Sequence, residues 1–118
     1  MIINADGAPN AARTILLWEN PDIEKIFDEQ TIEVNTKAHP VFYVSFCIST
    51  NDSDIFTDMI LTDVDTAQLI RVRGYDSVHT RYVTVIDSGL AFGAGKTVTD
   101  NGLESDNYAV VPYRIYGG

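Results

Sequence analysis

An all-β fold, an antiparallel β-sandwich of about eight short strands with a jelly-roll-like layout, is what this sequence predicts. Three observations carry the prediction. Short runs rich in Val, Ile, Thr, Tyr and Phe recur with a period of two, the repeat of a strand whose alternate side chains face opposite ways. Gly, Asn, Asp and Pro clusters separate those runs at roughly eight- to twelve-residue intervals. The chain has 118 residues, one domain's worth. A domain of that size buries about two thirds of its unfolded surface and needs no disulfide or metal to fold.

The elements follow in order. Residues 1–12 read as a tether, because Asn, Asp, Gly, Pro and Ala dominate and Asp6-Gly7 and Ala8-Pro9 break regular structure; the sandwich domain is expected over 13–118. The first strand is Arg13 to Trp18. Asn20-Pro21 then resembles a helix cap with Pro in the first turn, and Ile23, Ile26 and Phe27 at i, i+3 and i+4 predict one or two helical turns. Thr31 to Val34 alternates. In the next run Phe42, Val44, Phe46 and Ile48 share one face while Tyr43, Ser45, Cys47 and Ser49 share the other. Two mostly apolar or small faces predict a strand covered on both sides.

Asn51 to Asp54 is a loop. Phe56 to Thr62 and Gln68 to Arg73 are strands, Gly74 to Ser77 is a turn, and Thr80 to Ile86 is a strand. Ser88-Gly89 is a tight turn before a short strand, Leu90 to Phe92. Lys96 to Asn107 reads as a long polar loop containing Asn101-Gly102, and Tyr108 to Tyr116 closes the sheet. Pro112 lacks a backbone donor and predicts an edge or a bulge in that last strand.

Composition narrows the function. Seventeen acidic residues against eight basic ones give a formal charge of −9. That argues against phosphate-directed nucleic-acid binding, which needs clustered Lys and Arg, and against anionic membrane surfaces. No run reaches the ~20 apolar residues of a membrane-spanning helix, and no signal peptide is visible. The single cysteine, Cys47, lies in an apolar run and reads as packing rather than as a nucleophile.

No catalytic or cofactor motif is complete. Gly95-Lys96-Thr97 resembles the end of a phosphate-binding loop, but the required earlier glycine is misplaced, since Leu90 occupies its position. His39 and His79 have no ligand at metal spacing, and no Gly-x-Ser-x-Gly elbow occurs. The expectation is therefore no enzyme and no cofactor. Asp52 and Asp54, like Asp63 and Asp65, could offer oxygens to Ca²⁺ but lack the rest of a binding loop. The more economical ligand is a sugar. Asp52, Asp54, Tyr75, Asp76, Asn101 and Tyr108 place loop aromatics beside carboxylates and amides, so a ring can cover the apolar face of a pyranose while oxygens take its hydroxyls.

Several segments, taken together and in order, carry a resemblance. They are Leu16-Leu17-Trp18-x-Asn20-Pro21, Phe27-x-x-Gln30-Thr31-Ile32, Val41-Phe42-Tyr43-Val44-Ser45-Phe46, Arg81-Tyr82-Val83-Thr84-Val85, Gly89-Leu90-Ala91-Phe92-Gly93 and Val111-Pro112-Tyr113-Arg114-Ile115-Tyr116-Gly117. Over 14–117 the chain resembles the C-terminal β-sandwich modules of phage tail and minor structural proteins. It departs from them in ending Gly117-Gly118 where they carry a single Gly and an aliphatic residue. The resemblance implies a virion-surface module and no particular ligand; joined to the loop aromatics above, it leads to the expectation of a surface or tail-tip domain contacting host glycan, or alternatively a capsid decoration or head-fibre protein that contacts only other virion proteins. It also implies self-association, with a homotrimer expected.

Overall fold

The computed structural model describes residues 15–49 and 57–118. The tether and the Asn51–Asp54 loop, with Asp52 and Asp54, lie outside the described residues. Nine strands form two antiparallel sheets: β1 (Ile15–Glu19), β2 (Gln30–Glu33), β3 (Phe42–Ile48), β4 (Thr57–Leu61), β5 (Gln68–Arg73), β6 (Ser77–Ile86), β7 (Gly89–Thr99), β8 (Glu104–Asp106) and β9 (Val110–Gly117). The first sheet runs β1-β9-β3-β4; the second runs β2-β7-β6-β5, with β8 beside β7. The first strand pairs with the last and β2 pairs with β7, which gives the sandwich its rolled closure.

The alternation in β3 sets the core. Phe42, Val44, Phe46 and Ile48 are all buried in one cluster with Leu61 of β4, Val83 and Val85 of β6, Leu90 and Phe92 of β7 and Ile115 of β9. Strand β3 lies between β4 and β9, and Cys47 on its other face is also buried. Pro112 marks a bulge and not an edge, because β9 is flanked by β1 and β3. Ser45 pairs with Arg114 and Phe46 with Pro112, so Tyr113 is the extra residue. The carbonyl of Tyr113 instead accepts the Asn20 N–H at 2.8 Å.

Two expectations are corrected. The helical turns over Ile23, Ile26 and Phe27 do not form. The Asn20 side chain accepts the Asp22 N–H at 2.9 Å and the Asp22 side chain accepts the Glu24 N–H at 3.1 Å. The first is the bond a helix cap makes; the second takes the Glu24 N–H, which an α-helix would direct to the Asn20 carbonyl. Phe27 is then anchored by tertiary contact: its N–H donates to the Tyr108 carbonyl, and its ring meets Trp18 and Phe92 edge-on.

The long polar loop is a hairpin. Strand β7 continues through Lys96 to Thr99, turns over Asp100–Leu103, and returns as β8. Gly102 takes φ +91 in that turn, and its N–H donates to the Thr99 carbonyl. Strand β6 likewise begins at Ser77, three residues before the expected start. Gly95, in mid-strand, is required by packing: a Cβ there would stand 2.7 Å from the Thr80 carbonyl oxygen and 2.8 Å from that of Asn107.

Candidate ligand-binding cleft

The β5–β6 turn and the β7–β8 hairpin meet at one end of the second sheet. The Asp100 N–H donates to the Asp76 carbonyl at 2.9 Å. Arg73, at the end of β5, ties the hairpin down by two hydrogen bonds to the Asp100 carboxylate, at 2.8 and 3.0 Å. That fork holds the Asp100 carboxyl below its usual range and raises the guanidinium pKa. Asp76, Thr99, Asp100, Asn101 and Leu103 line a cleft of about 320 Å³.

The cleft offers mixed chemistry. The Asp76 carboxylate makes no hydrogen bond among the described residues, so its oxygens are available to hydroxyls, as is the Asn101 amide N–H₂. Thr99 Oγ is committed to Asn101 Oδ1 and to the Leu103 N–H. Leu103 is 67% exposed and Tyr75, beside Asp76, is 72% exposed. An exposed ring and an aliphatic side chain beside a carboxylate and an amide can take a small polyol with one apolar face.

Tyr108 lies elsewhere. It lines a second depression of about 250 Å³ with Glu29, Ala94, Gly95, Asp106 and Asn107. Its hydroxyl donates to Glu29 Oε2 at 2.8 Å, and that bond raises the phenol pKa. Its ring covers the Arg81 guanidinium at 5.0 Å. The loop residues singled out from the sequence therefore divide: Asp76 and Asn101 share the cleft, Tyr75 flanks it, and Tyr108 serves as a lid over Arg81.

Arg81 is the residue the sequence reading passed over. It is fully buried, with Nε donating to the Gly93 carbonyl at 2.7 Å and Nη1 to the Val110 carbonyl at 3.1 Å, across the sandwich. Burial pulls its pKa down, while Tyr108, Glu29 and Asp28 oppose that shift. The signal that finds it is parity: the period that turns Val83 and Val85 inward turns Arg81 and His79 inward too. His79 is buried, with Nε2 at 2.9 Å from Ser77 Oγ and Nδ1 at 2.7 Å from Thr97 Oγ. Asn107 Nδ2 donates to that same Thr97 oxygen at 2.7 Å. Ser77 and His79 thus belong to a buried polar chain.

The remaining candidates read plainly. Gly95-Lys96-Thr97 lies inside extended β7 and precedes no helix, so no helix N-terminus faces it. Asp63 and Asp65 flank Val64, which bridges to Val85. Among the described residues no cluster of three or more His, Cys, Asp or Glu side chains is placed to hold a metal. Burial pushes the Cys47 thiol up to about 11. No protein-family model matches the chain, and neither a curated protein nor a solved structure matches it.

Proposed function

We propose that the chain is a non-enzymatic phage virion module, a surface or tail-tip domain that self-associates and offers its β5–β6/β7–β8 cleft to host glycan. The observation that carries this reading is the cleft itself: free Asp76 and Asn101 polar groups beside exposed Leu103 and Tyr75. Affinity at one such site is about millimolar, because a shallow polar cleft loses much of its interaction to desolvation. Repetition on a particle supplies the avidity. The test is a glycan array probed with multivalent protein. Binding that Tyr75→Ala and Asp76→Ala abolish, at unchanged melting temperature, supports the reading; a blank array removes it.

Self-association has its own support. Leu16, Tyr116, Tyr43 and Ile60 stand in register across the outer face of the first sheet, one from each strand. Leu16 is 49% and Ile60 58% exposed, so the aliphatic ends of this row are open. The same row favours the second reading, a capsid decoration or head-fibre protein whose contacts are all with protein. Light scattering at tens of micromolar tests it: an oligomer, trimeric on the expected symmetry, that Tyr43→Lys and Ile60→Lys dissociate supports the row as the contact. A monomer removes self-association.

A further inference from the structure

At the other end of β6, roughly 25 Å from the cleft by strand rise, the two sheets part around a second cavity. It measures about 320 Å³, and its lining includes Lys37, His39, Phe42, Leu61, Val64 and Val85. Its floor is hydrocarbon: Phe42, Leu61 and Val85 all belong to the buried core. Val64, 57% exposed, forms an apolar shoulder.

The rim carries one unspent cation, Lys37. Lys25, Arg73, Lys96 and Arg114 each pair with a carboxylate. Lys37 makes no ion pair or hydrogen bond among the described residues. His39 Nδ1 lies 3.1 Å from the Gly118 carbonyl, an acceptor, so Nδ1 carries the proton and donates. Nε2 is then left without a partner among the described residues. Thr36 is fixed differently: its hydroxyl reaches the Ile86 and Asp87 carbonyls at 2.9 and 3.0 Å, which holds the Thr36–Ala38 turn and its Lys37 at the rim. Asp63 and Asp65 neighbour Val64 in sequence, but neither lines the cavity.

We infer that this cavity is a binding site for a small monoanion with an aromatic or branched aliphatic body, a compact carboxylate. The apolar part lies on Phe42, Leu61 and Val85, and the carboxylate meets the Lys37 ammonium. Charge complementarity selects the occupant: an otherwise acidic chain, at −9 overall, leaves an unpaired cation at the mouth of an apolar hole. The volume lies at the lower limit for ligand pockets, so only small molecules fit. The site is independent of the glycan cleft and stands or falls separately.

The test titrates the isotope-labelled full chain with phenylacetate and, in parallel, with its neutral isostere phenylacetamide. The expected result is movement of the Leu61, Val64 and Val85 methyl signals, with the acid bound roughly two- to five-fold more tightly than the amide, the range of one exposed ion pair. Lys37→Gln should abolish that preference without moving the melting temperature, and Val64→Phe should weaken both ligands by narrowing the mouth. Absence of methyl shifts at tens of millimolar overturns the site. Equal affinity for acid and amide, or a preference that survives Lys37→Gln, overturns its assignment to anions.

Discussion

At the Val85 end of β6 the sandwich interior is hydrocarbon, with Phe42, Leu61, Val83, Leu90 and Ile115 in mutual contact; at the Ser77 end the same inward face carries Ser77, His79 and Arg81. One strand therefore serves two kinds of interior. In the first, stability comes from apolar area, which is non-directional and forgiving of detail. In the second, buried polar groups take partners from distant elements, Gly93 and Thr97 of β7, Asn107, and Val110 of the opposite sheet, while Arg81 Nη2 is left without one. The hydrocarbon end holds the sheets together. The polar end also fixes where the β7–β8 hairpin and its cleft stand.

The comparison fails first if the hydrocarbon end is not a tight core. Phe46 is fully buried and packs edge-on against Phe92 at 6.1 Å. Phe46→Ala should cost about 3–5 kcal/mol in equilibrium urea unfolding, from lost transfer energy plus the cavity left behind. A cost below roughly 1 kcal/mol would mean that β3 is out of register.

Arg81 is the corresponding probe of the polar end. Arg81→Ala strips charged donors from one buried and one part-buried carbonyl and removes the cation from between Tyr108 and Phe27. Relief of the buried charge offsets part of this loss, so the net cost should be about 3 kcal/mol. Arg81→Met is the sharper variant, since it refills the volume without the donors. It should recover only part of the loss; a Met variant as stable as the parent would show that hydrocarbon serves equally well at both ends.

Cys47, buried on the other face of β3, gives the fold a pH-dependent component. Burial raises its thiol from 9.0 to about 11, so the folded chain favours the neutral form. That contribution is complete below about pH 9 and is lost as pH rises towards about 11. Unfolding free energy should fall by up to ~2 kcal/mol across that interval, at close to 1.4 kcal/mol per unit. Cys47→Ala should remove this component, and an unchanged alkaline slope in the variant would place its source elsewhere.

The hydrocarbon end was legible in the sequence because β3 sets large apolar side chains on one face against smaller or partly polar ones on the other. Phe42, Val44, Phe46 and Ile48 announce both the strand and the buried face. The polar end hides because its hydrophobic period points the wrong way: Val78 and Val98 are only half-buried, while the polar Ser77, His79 and Thr97 between and beside them are the residues that turn inward. Hence β6 was expected to start at Thr80, and Lys96 to Asn107 was expected to be a loop. The helix expected near Ile26 failed for another reason: spacing cannot register that the Asp22 side chain takes the Glu24 N–H and that the Phe27 N–H donates across to the Tyr108 carbonyl. Of the cleft, Asp76 and Asn101 were singled out from the sequence, while Thr99, Asp100 and Leu103 were not. Asp76 and Asn101 meet only because β6 and β7 pair along their length, with Ser77 opposite Thr99.

Thr97→Val makes the smallest cut and the most specific one. It keeps the shape of the side chain and deletes one oxygen. That oxygen lies 2.7 Å from His79 Nδ1 and accepts the Asn107 amide at 2.7 Å. The change removes this acceptor from the ring nitrogen and from the amide N–H. Two such losses could reach a few kcal/mol, but Thr97 sits at the margin of burial, where water recovers part, so about 1 kcal/mol is expected. The decisive quantity is the coupling to Asn107→Ala. Asn107 Oδ1 also accepts the Ala109 N–H and so positions the start of β9. If the polar end is one network, Asn107→Ala should cost about 0.5–1 kcal/mol less in the Thr97→Val background than in the parent. Strict additivity in a double-mutant cycle would make these groups separate hydrated contacts, and the contrast between the two ends would then rest on Arg81 alone.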